Sequence, residues 1–342
     1  MANDNQRLTI WSIQDDKPGH RNQVRGLIRA LSERVDVDVY PVSPPPVIDL
    51  LTDLLFKKLR RNSLIPRPAL IVGAGHATHL AILAAGRATG AKTVVIMKPT
   101  LPRQWFDLCI MPAHDMKSDK DRQSAVANAL TTENHDSRVQ ASSLLVTRGA
   151  LNAVVPSTRH EPNRGLFLIG GTSSHYRWSN QDVFERVVEI VAREPSRMWT
   201  LTTSRRTPSA LIEQLCDLRF PKLQVFRSED TSPDWLPAQL QRSSATWVTE
   251  ESVSMVYEAL TAGGAVGLLP VPRRKSTRVS RGIDVLLAEG WVTSFAEWKE
   301  QGTMSVPPAR LSEADRCAAW ILDRWFTSIS LNARQQSQQQ VA

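Results

Sequence analysis

Cysteine is scarce in this chain. There are three, Cys109, Cys216 and Cys317, far apart and none in a C-x-x-C pair. That spacing excludes a disulfide framework and a thiolate zinc site, and it fits a reducing compartment. Long apolar runs are missing as well: no stretch approaches the roughly 20 residues of a membrane span. The N-terminal "MANDNQRLTIWSIQDD" lacks the charged-then-apolar pattern of a secretory signal. A cytoplasmic protein is expected, free or peripheral on the inner face of a membrane. No nucleic-acid-binding motif accompanies the basic charge, so nucleic acid is not an expected partner.

What is there describes a globular enzyme-sized chain. At 342 residues it exceeds one ordinary core, and the length suggests two domains of about 150 residues each. A hydrophobic fraction of 42% with 22% charged residues is that of a folding chain. The net charge of +8 favours an anionic partner such as a nucleotide, a phosphorylated glycan or a lipid surface. The charge is spread out, apart from "KKLRR" (57–61), "SRR" (204–206) and "PRRKSTR" (272–278), and such clusters are usually solvated faces.

Apolar runs alternate with amphipathic stretches, the pattern of a parallel sheet covered by helices. In the first half, strands are expected at 8–13, 35–40, 69–75, 93–97, 107–112 and 143–147, with helices at 20–34, 77–89 and 120–130. "VVPSTRHEPNRG" (154–165) reads as a linker. The alternation then restarts with strands at 166–171, 197–204, 223–226, 245–250 and 265–271, and with helices at 181–194, 209–219 and 252–263. The expected layout is an N-terminal domain over 1–155 and a second over 165–310. A helix within 311–330 packs back on the first domain, and a polar tail (331–342) is disordered. The fold class is α/β, two Rossmann-like doubly wound domains facing across a cleft, with ligands at the carboxyl ends of the strands.

Three strand ends in the second half carry polar chemistry. "LIGGTSSHYRW" places Gly170, Gly171, Thr172 and Ser173 where backbone can approach a phosphate. "LTTSRRTP" places Ser204, Arg205, Arg206 and Thr207 after the next strand. "VTEESVSMVYEAL" offers Thr249, Glu250, Ser252, Ser254, Met255 and Glu258 at the start of a helix, whose free first-turn N–H groups and dipole favour an anion. Ser254 and Glu258 share a face, and a carboxylate can accept from two vicinal ribose hydroxyls at once. The plainer alternative is that Ser252 caps the helix and Glu258 is solvated. Together the three loops form a candidate nucleotide-diphosphate pocket.

At the first strand end, "DDKPGHRNQVRGL" gathers Asp15, Asp16, Lys17, Gly19, His20, Asn22 and Gln23. His20 or Asp16 is the candidate base for an acceptor hydroxyl, with Gly19 permitting close backbone approach. The alternative is that Asp16 caps the helix. His76 in "GAGHATH" and His114 in "MPAHD" are candidate acceptor-side residues. No third ligand accompanies His76 and His79, so no metal is expected.

"DDKPGHRNQVRGL", "FDLCIMPAHD", "VTRGALN", "GGTSSHYRW", "TTSRRTP" and "VTEESVSMVYEAL" together resemble the elongated-mitochondria family, whose plant members act in mitochondrial fission. The resemblance runs in order from about residue 8 to 325 and implies a GT-B-like fold with a nucleotide-sugar site in the second domain. The "SVSMVYEAL" helix is also similar to the donor-binding helix of GT-B glycosyltransferases such as the enzyme that makes lipid II, where the carboxylate matching Glu258 holds the donor ribose. The function expected from residues and resemblance together is a metal-independent GT-B-type glycosyltransferase. It takes a nucleotide-sugar as substrate, needs no cofactor, and acts on an acceptor hydroxyl of a lipid-linked or cell-surface glycan near an anionic membrane surface. The alternatives are a nucleotide-sugar epimerase and a non-catalytic adaptor of the mitochondrial-fission type.

Overall fold

A computed structural model describes residues 7–44, 65–116 and 143–331. The basic cluster at 57–61, the helical pattern at 120–130 and the tail from residue 332 lie outside the described residues. The chain divides into two compact units. Unit 1 comprises the chain up to Ala153 together with the chain from Glu313 onward, and unit 2 is Val154–Ser312.

Unit 1 opens with β1 (Leu8–Ile13), α1 (Pro18–Ser32) and β2 (Val37–Val42). It continues with β3 (Leu70–Ala74), α2 (His79–Thr89), β4 (Lys92–Ile96), β5 (Leu108–Pro112) and β6 (Leu144–Thr147). The strands form one parallel sheet in the order β2-β1-β3-β4-β5-β6. Strands β1, β3, β4 and β5 are covered on both faces, which is why they read as apolar runs, whereas the edge strand β2 is half-buried to exposed. Leu8, Ile10, Leu70 and Val72 pack with α1 on one face, while Trp11, Ile13, Ile71 and Val95 pack with α2 on the other. Helix α1 begins at Pro18, two residues before the expected His20, because proline is well suited to the first helical position, where no intrahelical N–H bond is lost.

Unit 2 repeats the design with β7 (Glu161–Leu168), α3 (Asn180–Arg193), β8 (Met198–Thr202), α4 (Ser209–Cys216) and β9 (Leu223–Phe226). Then come α5 (Trp235–Arg242), β10 (Ser243–Thr249), α6 (Val253–Ala262), β11 (Ala265–Leu269), α7 (Arg278–Ala288), β12 (Thr293–Ser294) and α8 (Phe295–Gln301). Its parallel sheet has the order β12-β11-β10-β7-β8-β9. The expected linker at 154–165 is shorter than the composition suggested, since Glu161–Arg164 are already in β7, where Ser243 pairs with Glu161. Three helices escaped the reading. Helix α5 carries Pro237 in its first turn, where proline is tolerated, and α7 starts inside the basic cluster, capped reciprocally by Thr277 and Ser280.

The last helix, α9 (Glu313–Trp325), belongs to unit 1. Its apolar stripe of Ala314, Cys317, Ala318, Ile321 and Leu322 joins the cluster around Leu27 and Leu31 of α1. Among the described residues no helix is long and apolar enough to cross a membrane.

One close approach fixes α1 in unit 1. A Cβ on Gly26 would run into the backbone carbonyl of Asn152. Gly26→Ala is therefore expected to destabilise by about 1–3 kcal/mol, as overpacking against rigid backbone does. Calorimetry should show a lowered Tm, and an unchanged Tm would show that the 150–153 segment yields.

Candidate active site

Strands β10, β7 and β8 are neighbours in the unit 2 sheet, so the loops at their carboxyl ends lie side by side. Hydrogen bonds join them into one body. Thr249 Oγ1 accepts the Gly170 N–H at 2.8 Å, and Glu251 Oε1 accepts the Gly171 N–H at 2.7 Å. The Thr207 hydroxyl donates to the Ile169 carbonyl at 3.1 Å and also contacts the Gly170 carbonyl. The Thr172 N–H donates to the Arg206 carbonyl at 3.2 Å, and the Arg206 guanidinium returns a bond to the Thr172 carbonyl at 3.1 Å. Both glycines are required by close approach. A Cβ on Gly170 would strike Glu251 Oε1, and one on Gly171 would strike the Arg206 carbonyl. The structure thus brings Gly170, Gly171, Thr172, Ser204, Arg206, Thr207 and Thr249 together. Ser173 and Arg205 sit in the same loops, with Arg205 exposed.

Glu251 was not among the sequence candidates, and it is the fully buried carboxylate beneath these loops. Burial pushes its carboxyl up to about 7, against the pull of the Gly171 N–H, the Thr249 hydroxyl and the Arg206 guanidinium. Arg206 Nη2 lies 3.8 Å from Glu251 Oε1. Its neighbour Glu250, a sequence candidate for donor binding, has a different partner. Glu250 is paired with Arg273, which also holds Asp284 at 2.7 Å. Burial raises the Glu250 carboxyl and Arg273 opposes the rise. Tyr176 bridges to Arg273 through backbone, and burial beside Glu250 pushes its phenol up to about 12.

Helix α6 begins directly after this loop. Ser252 occupies the N-cap position without a side-chain cap bond, so the plain capping role does not hold. Ser254 is exposed in the first turn and Glu258 stands one turn further on the same face, with Met255 half-buried beside them. Val256, Tyr257 and Leu260 cover the core side.

In unit 1 the loop after β1 holds a carboxylate–imidazole pair. His20 Nδ1 lies 2.7 Å from Asp15 Oδ2, and Asp15 Oδ1 accepts the Lys17 N–H at 3.1 Å. Asp16 does not cap α1; its side chain is fully exposed and pairs with Arg21 at 3.0 Å. A Cβ placed on Gly19 meets nothing within 4 Å, so its backbone stands open. The glycine this site needs is Gly75, at φ +87°, where a Cβ would strike the His20 ring. Lys17 and His76 are exposed, His114 lies in the turn after β5, Asn22 is half-buried, and Gln23 is buried in α1.

His79 heads α2 under the same loops. Its Nδ1 lies 3.0 Å from the Thr100 hydroxyl and 3.3 Å from the Thr100 N–H. Burial, with His76 and His20 nearby, lowers its pKa to about 4. Among the described residues no group of three or more His, Cys, Asp or Glu side chains is placed to hold a metal.

Two pH dependences follow. The neutral His79 stabilises the fold above pH 6.5, and this stability is lost as the pH falls from 6.5 towards 4, by at most about 3 kcal/mol. In His79→Gln the Tm decline over that range is expected to shrink; identical slopes would contradict it. Glu251 has the opposite sign. Its raised carboxyl makes the fold bind a proton the unfolded chain releases, so wild type loses stability relative to Glu251→Gln as the pH rises from 4.5 through 7. A constant Tm difference across that range would contradict it.

The fold and the chain have known relatives. A protein of Rickettsia prowazekii (strain Madrid E), described as uncharacterized protein RP120, is 23% identical over 334 residues, covering 85% of this chain and 91% of that one. The UDP-GlcNAc 2-epimerase from Methanocaldococcus jannaschii superposes with a TM-score of 0.50 at 12% identity, covering 93% of this chain and 100% of that one. Phytolacca americana UGT2, complexed with UDP-2fluoro-glucose and pterostilbene, matches at 10% identity with a TM-score of 0.47, over 98% of this chain and 93% of that one. Two Rossmann-like units in one chain, each on a six-stranded parallel sheet, make this a GT-B fold. The model of the mitochondrial fission ELM1 family matches residues 18–325, and the chain belongs to that family.

Proposed function

We propose that this protein is a glycosyltransferase that moves a sugar from a nucleotide-sugar donor to an acceptor hydroxyl, on a lipid-linked or cell-surface glycan. The observation that carries the reading is the bonding of three strand-end loops in unit 2 into one body, with Arg206 on it and the N-terminus of α6 beside it. A diphosphate leaving group there meets the arginines and the first-turn amides of α6, which take up the charge that develops as the sugar–phosphate bond breaks. Glu258, one turn along α6, accepts from the ribose hydroxyls. Donor recognition is thereby assigned to unit 2.

Acceptor activation is assigned to unit 1. The acceptor oxygen attacks the anomeric carbon, the bond to the diphosphate breaks with its electron pair going to phosphate, and the hydroxyl proton passes to His20. Asp15, 2.7 Å from Nδ1, holds the ring with Nε2 unprotonated and ready to accept. The net charge of +8 suits an acceptor displayed at an anionic membrane surface. No cofactor enters this scheme.

Calorimetric titration with UDP-, GDP-, CMP- and ADP-sugars is the test. One nucleotide class is expected to bind, and Glu258→Ala to weaken it by about ten- to a hundredfold, the worth of charged hydrogen bonds. Conversion of the nucleotide-sugar without any acceptor would replace the transferase by an epimerase. Absence of binding to every donor would favour the adaptor that the family's description, mitochondrial fission, suggests.

A further inference from the structure

Glu251 has no part in the chemistry just described, yet its surroundings are unusual for a structural carboxylate. Its side chain has no exposed surface. One oxygen accepts the Gly171 N–H at 2.7 Å, and the other, Oε2, is buried without a hydrogen-bond partner. The residue precedes the N-cap of α6, so it sits where three loops and a helix N-terminus meet. Gly170 has no side chain to separate it from the carboxylate.

We propose that Glu251 is a positioning residue that binds a proton when a nucleoside diphosphate occupies the three-loop site, so that donor binding and proton uptake are one event. This rests on the donor-site reading of unit 2. The electrostatics follow from what faces the carboxyl on each side. Arg206, from the loop after β8, is the cation 3.8 Å away and holds the free carboxyl partly ionised. Tyr176, from the loop after β7, is close enough for Glu251 to raise its phenol. On the carboxylate's own loop Glu250 is neutralised by Arg273, with Asp284 of α7 behind it. Among the described residues Arg206 is thus the cation that favours the ionised form of Glu251. A diphosphate beside that loop draws Arg206 towards itself and adds negative charge, and both changes favour the neutral acid. The proton enters from solvent, no bond other than O–H forms, and it leaves when the diphosphate departs. Protonated Glu251 keeps Oε1 as the acceptor for Gly171, so the loop stays in place.

The test uses the full chain, wild type and Glu251→Gln, which keeps the shape and an acceptor oxygen for the Gly171 N–H. UDP, GDP, ADP and CDP are titrated by calorimetry at pH 7.5 in two buffers of different ionisation enthalpy. Because the nucleotide's own phosphate titrates, each result is read as the difference between the two proteins. Wild type is expected to take up a sizeable fraction of a proton more than the variant. Between about pH 7 and 8.5 its affinity should fall with rising pH relative to the variant, steepening towards about tenfold per pH unit, the limiting slope of one coupled proton. Binding with equal proton uptake in both proteins overturns the inference and leaves the donor site standing. Failure of all four nucleotides to bind wild type overturns both. A variant whose amide spectrum shows an unfolded unit 2 is replaced by Glu251→Asp, for which the expected result is retained uptake and loss of it the contradiction.

Discussion

The burial of Glu251, whose Oε1 accepts the Gly171 N–H, is the constraint around which the three loops of unit 2 are bonded together. An ionised carboxylate without exposed surface is costly unless backbone donors and a cation offset its desolvation. Here those groups come from two different loops, after β7 and after β8, so satisfying Glu251 obliges the loops to meet. The geometry tolerates only glycine at 170 and 171, because side chains there would displace the carboxylate or the Arg206 carbonyl. What sequence composition shows as a flexible Gly-Gly turn is in the fold a tightly packed one. Preorganised loops of this kind lower the cost of ordering that a ligand would otherwise meet.

Unit 1 uses the same parallel architecture differently. Its loop after β1 contributes an imidazole and a carboxylate rather than guanidinium groups, and its loop after β3 contributes Gly75, whose φ of +87° and lack of a side chain let the His20 ring lie against backbone. Thr100, after β4, holds the His79 ring from the third loop through its hydroxyl and N–H. In both units, then, strand ends that are adjacent in the sheet but distant in sequence supply the polar groups. The side chains at equivalent ends differ, guanidinium groups in unit 2 and an imidazole–carboxylate pair in unit 1.

Much of the fold was legible because buried parallel strands announce themselves. "ALIVGAG" and "TVVIM" are apolar throughout since both faces of β3 and β4 are covered. Helix α1 was legible from Val24, Leu27 and Leu31, and α9 from its Ala, Cys, Ile and Leu stripe. What escaped had physical reasons. Strand β7 begins among the exposed Glu161, Pro162 and Asn163 and the half-buried Arg164, which carry no apolar signal. Helix α7 starts within "KSTR", where charge masked the Thr277–Ser280 cap. At the site, adjacent acidic pairs were the difficulty. Asp15 and Asp16, and Glu250 and Glu251, are indistinguishable by residue type, yet one of each pair turns inward on the group that matters. For Glu251 a signal existed in the paired glycines, since Gly170 and Gly171 need something to approach them closely. Linear spacing does not say what approaches.

The central claim is that the ends of β7, β8 and β10 form one anion-binding body. The most direct measurement is amide chemical-shift mapping of the labelled protein during titration with a UDP-sugar and, where that fails to bind, with its GDP, CMP and ADP counterparts. The amides of Gly171, Thr172, Ser204, Arg206 and Ser254 are expected to shift together along one saturation curve, with a single Kd. Shifts confined to one of these loops, or gathered elsewhere in the chain, would contradict it.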